Sequence, residues 1–139
     1  MRRGITLFEI GVVLVIVGVL CAISAPDLLR LMDRTRVRHA GNEIVTTLAL
    51  ARATAVAREV RVAARFDPVR STVVVASAGD TIVARDLGAI YGISLQSNRD
   101  SVVYGPTGVG YGAANQTVVL RRGRAVDSLI ISRLGRVRR

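Results

Sequence analysis

Between Ile5 and Ala25 the chain carries one charged residue, Glu9, in a run of otherwise apolar and small side chains. At roughly 1.5 Å of rise per residue, a helix over this run measures about 31 Å and matches a hydrocarbon core of about 30 Å, so it can span a membrane. Beyond Pro26, apolar positions recur at helical spacing: Leu28, Leu29 and Met32, then Val37, Ile44, Leu48, Ala51 and Ala55, with Arg34, Arg38, Arg52 and Arg58 largely off that face. Pro26 lacks an N–H and clashes with the carbonyl four residues back, so it is expected to kink the helix rather than end it. Gly18 and Pro26 thus bracket a weak segment. The predicted helix, from about Ile5 to Arg58, would be about 80 Å long, half anchor and half core.

From Val60 the period changes to two, as Val60, Val62 and Ala64 alternate with Arg61, Ala63 and Arg65. Further strands are predicted at Thr72–Ala76, Thr81–Arg85, Tyr91–Leu95, Val102–Tyr104, Thr117–Arg121 and Ala125–Ser132, with turns at Asp67-Pro68, Ser77-Ala78-Gly79-Asp80 and Arg122-Gly123. The pattern predicts an α+β fold: a long N-terminal helix, its first half transmembrane, packed on a C-terminal antiparallel β-sheet domain. The expected divisions are 1–4 leader, 5–25 transmembrane helix, 26–59 amphipathic continuation and 60–139 β-rich head.

Composition narrows the function. The chain has 139 residues, 50% of them hydrophobic, enough for one domain and too apolar for a disordered tail. A single Cys (Cys21) and a single His (His39) exclude an intrachain disulfide framework and a Cys/His zinc site, and they leave no Cys-His or Ser-His-Asp apparatus beyond one imidazole. His39, between Arg38 and Ala40, reads as part of a solvated helix face. Gly105, Gly108, Gly110 and Gly112 are followed by no Gly-Lys-Ser/Thr, so a surface loop fits them better than a phosphate cradle, with Tyr104 and Tyr111 packing or touching a partner. No catalytic residue, metal site or cofactor is expected, and the chain does not read as an enzyme.

Three readings compete for the N-terminal run. A cleaved secretory signal would use Arg2 and Arg3 as its charged region and the small residues around Ala22-Ile23-Ser24 before the cut, but it leaves a carboxylate where only apolar side chains are wanted. A plain membrane anchor gives no reason for Glu9. The third explains Gly4 and Glu9 together: Arg2-Arg3-Gly4, then Ile5, then Thr6-Leu7-Phe8-Glu9 and the apolar run resemble the class III signal of type IV prepilins and pseudopilins. That resemblance implies that a prepilin peptidase cuts after Gly4 and methylates Ile5. Ile5 stands where the family usually has Phe, and four residues make a short leader. Cleavage would create an α-amino group one helical turn from Glu9, and a charge in hydrocarbon requires a partner. In the related filaments this pairing is thought to set the register between subunits, which implies an assembly role for Glu9.

The order of elements, with Leu50-Ala51-Arg52-Ala53-Thr54-Ala55-Val56 and the ending Gly135-Arg136-Val137-Arg138, is similar to the GspH/FimT class of minor pseudopilins. The resemblance implies a structural subunit of a type II secretion or type IV pilus-like machine. It would assemble into the pseudopilus, near the tip, with other major and minor pseudopilins. It also implies a single-pass protein of the inner membrane whose head is periplasmic. Counting Arg30, Arg34, Arg36 and Arg38 against Arg2 and Arg3 would give the opposite orientation.

Charge opens an alternative. All 20 basic residues are Arg, against 10 acids, for a formal net charge of +10. Residues 121–139 concentrate it: Arg121, Arg122, Arg124, Arg133, Arg136, Arg138 and Arg139 face Asp127 alone. FimT-like members are linked to DNA binding through a Gly-Arg-x-Arg ending, which Gly135, Arg136 and Arg138 match. These arginines are therefore the expected contacts of a DNA-uptake pilin, since guanidinium forks suit phosphates. A solvated basic strand end is the competing reading.

Overall fold

A computed structural model describes residues 6–111, 116–132 and 136–139. Gly4, Ile5, Gly112, Arg133 and Gly135 lie outside them, as does the side chain of Pro26. The chain forms two compact units, one ending at Met32 and one spanning Asp33–Arg139, and the helix α1 (Leu7–Ala57) contributes to both.

In the first unit every described side chain of α1 from Leu7 to Ile23 is exposed, including Leu14, Val15 and Ile16. By length and composition α1 can cross a membrane. Gly18 stands inside the helix with open space where a side chain would go. Leu28, Leu29 and Met32 were expected on the core face, yet they are exposed. They belong to the first unit, whose described residues include no strand for them to pack on.

The core begins at Val37. Val37, Ala40, Ile44, Leu48, Ala51 and Ala55 recur at intervals of three and four, so they form one stripe and are all buried. Helix α1 ends in a Schellman turn: the Val60 N–H donates to the Ala55 carbonyl, the Glu59 N–H donates to that of Val56, and Glu59 takes φ 55°.

The strands that meet this stripe form two antiparallel sheets rather than one. The first contains β1 (Val62–Asp67), β2 (Thr72–Ser77), β3 (Asp80–Asp86), β5 (Ser101–Tyr104) and β6 (Gly110–Tyr111), in the order β3-β2-β1-β5-β6. The second contains β4 (Ser94–Ser97), β7 (Gln116–Arg122), β8 (Ala125–Ile131) and β9 (Val137–Arg138), in that order. Alternation decides the inner faces: Val62, Ala64 and Phe66 on β1, Val73 and Val75 on β2, Val118 and Leu120 on β7, Leu129 and Ile131 on β8. Each buried Val, Leu or Ile contributes roughly 1.5–3 kcal/mol by leaving water.

Turn chemistry follows the sequence closely. Asp67 Oδ1 accepts from the N–H groups of Val69 and Arg70 at 2.9 and 3.2 Å and closes the β1–β2 turn. Ala78 and Gly79 link β2 to β3 with φ 50° and 97°. Where a strand over Tyr91–Leu95 was expected, a short helix α2 (Leu87–Tyr91) precedes β4 instead. Asp86 caps it by accepting from Ala89 N–H at 2.8 Å, and Gly92, at φ 63°, ends it. Local capping chemistry thus overrode an apolar pattern too short to separate strand from helix.

The glycine-rich stretch is a surface loop from Gly105 to Val109, closed by hydrogen bonds from Gly108 N–H to the Gly105 carbonyl and from Gly105 N–H to that of Val109, while Gly110 and Tyr111 form β6 and pair with β5. Ser71, at φ 53°, joins the sheets. Its hydroxyl accepts from Leu95 N–H at 3.1 Å, and its carbonyl accepts from the N–H groups of Leu87 and Gly88.

Tyr104 is fully buried, and its hydroxyl finds no hydrogen-bond partner among the described residues. Burial pushes this phenol above its ordinary value, opposed by the nearby positive charge of Arg52. Because the folded pKa is the higher one, the stability linked to this proton is fully present below the unfolded pKa of about 10 and is lost as pH rises through the folded value. Tyr104→Phe is therefore expected to be neutral or to stabilise the head by up to about 1 kcal/mol, since no hydrogen bond is given up. Thermal melts in detergent at neutral and alkaline pH check this. The variant should lose less stability than wild type as pH climbs, and a loss above about 2 kcal/mol at neutral pH would show a missed partner.

Candidate functional site

At the start of α1, Thr6 and Glu9 hold each other. The Glu9 N–H donates to Thr6 Oγ1 at 3.3 Å, and the Thr6 N–H donates to Glu9 Oε2 at 3.5 Å, the reciprocal pattern of a capping box. The cap satisfies donors that the first helical turn leaves without partners. It also folds the Glu9 carboxylate back toward the residue that follows Ile5. The Thr-x-x-Glu spacing was present in the sequence, and its capping role was missed there because Glu9 was read only as a charge in an apolar run.

The described C-terminal arginines do not form one cluster. Arg122 faces inward: its Nε is 2.7 Å from Asp33 Oδ1, and its Nη1 donates to the carbonyls of Tyr91 and Gly92 at 2.6 and 2.9 Å. This guanidinium occupies the space that a side chain at Gly92 would need, so Gly92 serves both the left-handed helix end and the clasp. Arg139 also turns inward. Its Nη2 donates to the Arg38 carbonyl at 2.9 Å, and its Nε stands 3.4 Å from Asp127 Oδ2. Asp33 and Asp127 were not expected to matter, and no local signal links residues so distant along the chain.

Arg121, Arg124, Arg136 and Arg138 remain exposed and make no ion pair among the described residues. Register separates them. Arg121 lies opposite Val126 near the β7–β8 link, whereas Arg138 lies opposite Ile130, four residues further along β8. At about 3.3 Å per residue that offset is roughly 13 Å along the strands. The exposed face between them carries Val126 and Ile130. A run of charges close together in sequence is thus spread over two ends of one sheet. His39 is exposed on α1, as expected.

A family model described as type II transport protein GspH matches residues 40–135. The chain belongs to the GspH family. The match covers the head and begins beyond the apolar run, so it is independent of the N-terminal motif. Two crystal forms of the type IV minor pilin FimU of Pseudomonas aeruginosa share the fold. One aligns with TM-score 0.64 at 15% identity over 78% of this chain and 90% of that one; the other aligns with TM-score 0.59 at 15% identity over 73% and 90%. No protein of curated function matches in sequence. This GspH-family chain therefore carries the matched type II transport head on a pilin-like fold.

Proposed function

We propose that the chain is a pseudopilin of a type II secretion machine, cut after Gly4 by a prepilin peptidase, methylated at Ile5, and assembled near the pseudopilus tip. It crosses the inner membrane once, with its head on the periplasmic side. The observation that carries this reading is the Thr6–Glu9 box, which holds a carboxylate at the end of the helix where cleavage would release an amine. In hydrocarbon that amine and that carboxylate need each other, within one subunit or between two. The family match of the head is the second support.

A second reading, capture of DNA for uptake, is favoured by the exposure of Arg121, Arg124, Arg136 and Arg138 without ion-pair partners among the described residues. Arg122 and Arg139 would contribute little to it, because each is already engaged by a carboxylate and a backbone carbonyl.

Intact-mass measurement of membrane-extracted protein should find a chain beginning at Ile5 and carrying one added methyl. A chain beginning near Ala25, or one retaining Met1, would contradict the processing reading.

Glu9 can be tested with two substitutions that separate its roles. Glu9→Gln keeps an acceptor for the Thr6 N–H but removes the charge, whereas Glu9→Ala removes both. If charge pairing drives assembly, both variants insert into the membrane and both enter subunit crosslinks poorly. Glu9→Gln assembling like wild type would reduce Glu9 to a helix cap, worth about 0.5–2 kcal/mol.

For the DNA reading, the head should bind duplexes with little sequence preference, and replacing Arg136 and Arg138 with Gln should lower the log–log salt slope by about two. Binding that is undetectable near physiological salt removes this reading and leaves assembly.

A further inference from the structure

Four guanidinium-bearing residues from three parts of the fold line one cleft. Arg34 and Arg38 stand one turn apart on α1, Arg124 sits in the link between β7 and β8, and Arg139 follows β9. The cleft has a volume of about 650 Å³, and its remaining lining is Val37, Ala125, Val126 and Asp127. Asp127 and Arg139 form an ion pair at 3.4 Å, and Arg139 is further anchored on the Arg38 carbonyl. Three positive charges are left over. Arg34, Arg38 and Arg124 are exposed and form no ion pair among the described residues, so they raise a net positive potential over a concave surface whose one acidic lining residue, Asp127, is paired with Arg139.

The lining selects among anions. A bare phosphate backbone would satisfy the arginines but has nothing to place against Val126, the one exposed apolar residue of the lining beside the buried Val37 and Ala125. Val126 is 58% exposed, an apolar surface left open beside the charges. A polypeptide segment carrying both carboxylates and an apolar side chain satisfies both parts. We infer that this cleft is the docking site for an acidic segment of a partner protein, whose carboxylates pair with Arg34, Arg38 and Arg124 while an apolar residue covers Val126. The inference deepens the assembly reading by giving the neighbouring subunit a chemistry, and it rests on that reading for the identity of the partner as a protein.

The test uses the full chain in detergent micelles and a fluorescein-labelled peptide of Asp, Glu and Leu. A matched peptide with Ser for Leu and a short DNA duplex serve as competitors. The Leu-bearing peptide should bind best. The double variant Arg34→Gln/Arg124→Gln should weaken it about tenfold, whereas Arg58→Gln/Arg65→Gln, away from the cleft, should leave it unchanged. Val126→Ser should lower affinity for the Leu-bearing peptide toward that for the Ser peptide, and it decides the matter if the arginine variant melts early. The inference is overturned by no binding to wild type, by equal losses from both arginine pairs, by indifference to Leu, or by a duplex that outcompetes the peptide. Subunit crosslinking in cells is scored separately. Loss of peptide binding with wild-type crosslinks intact removes the cleft alone, while a wild type that binds the peptide but forms no crosslinks removes the assembly reading and leaves the cleft chemistry standing.

Discussion

Both sheets of the head depend on a single helical stripe for their buried side. Val37, Ala40, Ile44, Leu48, Ala51 and Ala55 belong to the same core as the inner residues of β1, β2, β4, β5, β7 and β8, and α2 adds Leu87, with Tyr91 packed against it. Strands of both sheets share their core with this one stripe, which therefore has to be narrow as well as apolar. Alanine at three of those six positions, with Gly41 beside them, keeps the backbone of α1 close to its neighbours. The polar latches lie around this contact: Asp33–Arg122 near its beginning, Arg38 with Arg139 and Asp127 beside it, and Glu43–Arg85 at 2.9 Å toward β3.

Most elements were legible because their physics is local. The change of period from 3.6 to two near Val60 marked where helix gives way to strand, and the hairpin at Ala78-Gly79 was announced by its own residues. What escaped was non-local or too short. Strands β6 and β9 contain two residues each, and they exist because a partner strand offers hydrogen bonds rather than because of any pattern of their own. The partition into two sheets could not be read either, since alternation reports which side chains are buried but not which strand is the neighbour. The helix face was overextended to Leu28, Leu29 and Met32 because apolar periodicity looks the same whether a face meets protein or lipid.

The candidate functional residues divide along the same line. Glu9 stood out by contrast with the apolar run around it, and a motif of four residues is the range over which sequence alone carries geometry. The arginines stood out only as a count. Folding turned Arg122 and Arg139 into structural contacts, moved Arg121 and Arg138 apart, and brought Arg34 and Arg38 beside Arg124, although some ninety residues of chain separate them. Net charge over a segment is conserved on folding, but its arrangement belongs to the tertiary structure.

Ser71 gives the head a mechanical property. One residue in the turn after β1 binds α2 through its carbonyl and β4 through its hydroxyl, so it ties the β1–β2 end of the first sheet to the second sheet by one hydrogen bond and to the helix before β4 by two more. A sheet that peeled away would have to leave the Leu87, Gly88 and Leu95 amides and a buried serine unsatisfied at the same moment as it exposed the shared core. The two sheets are therefore coupled into one cooperative unit. A subunit pulled by its helix would load both sheets together, because they share the α1 stripe as well as this tie.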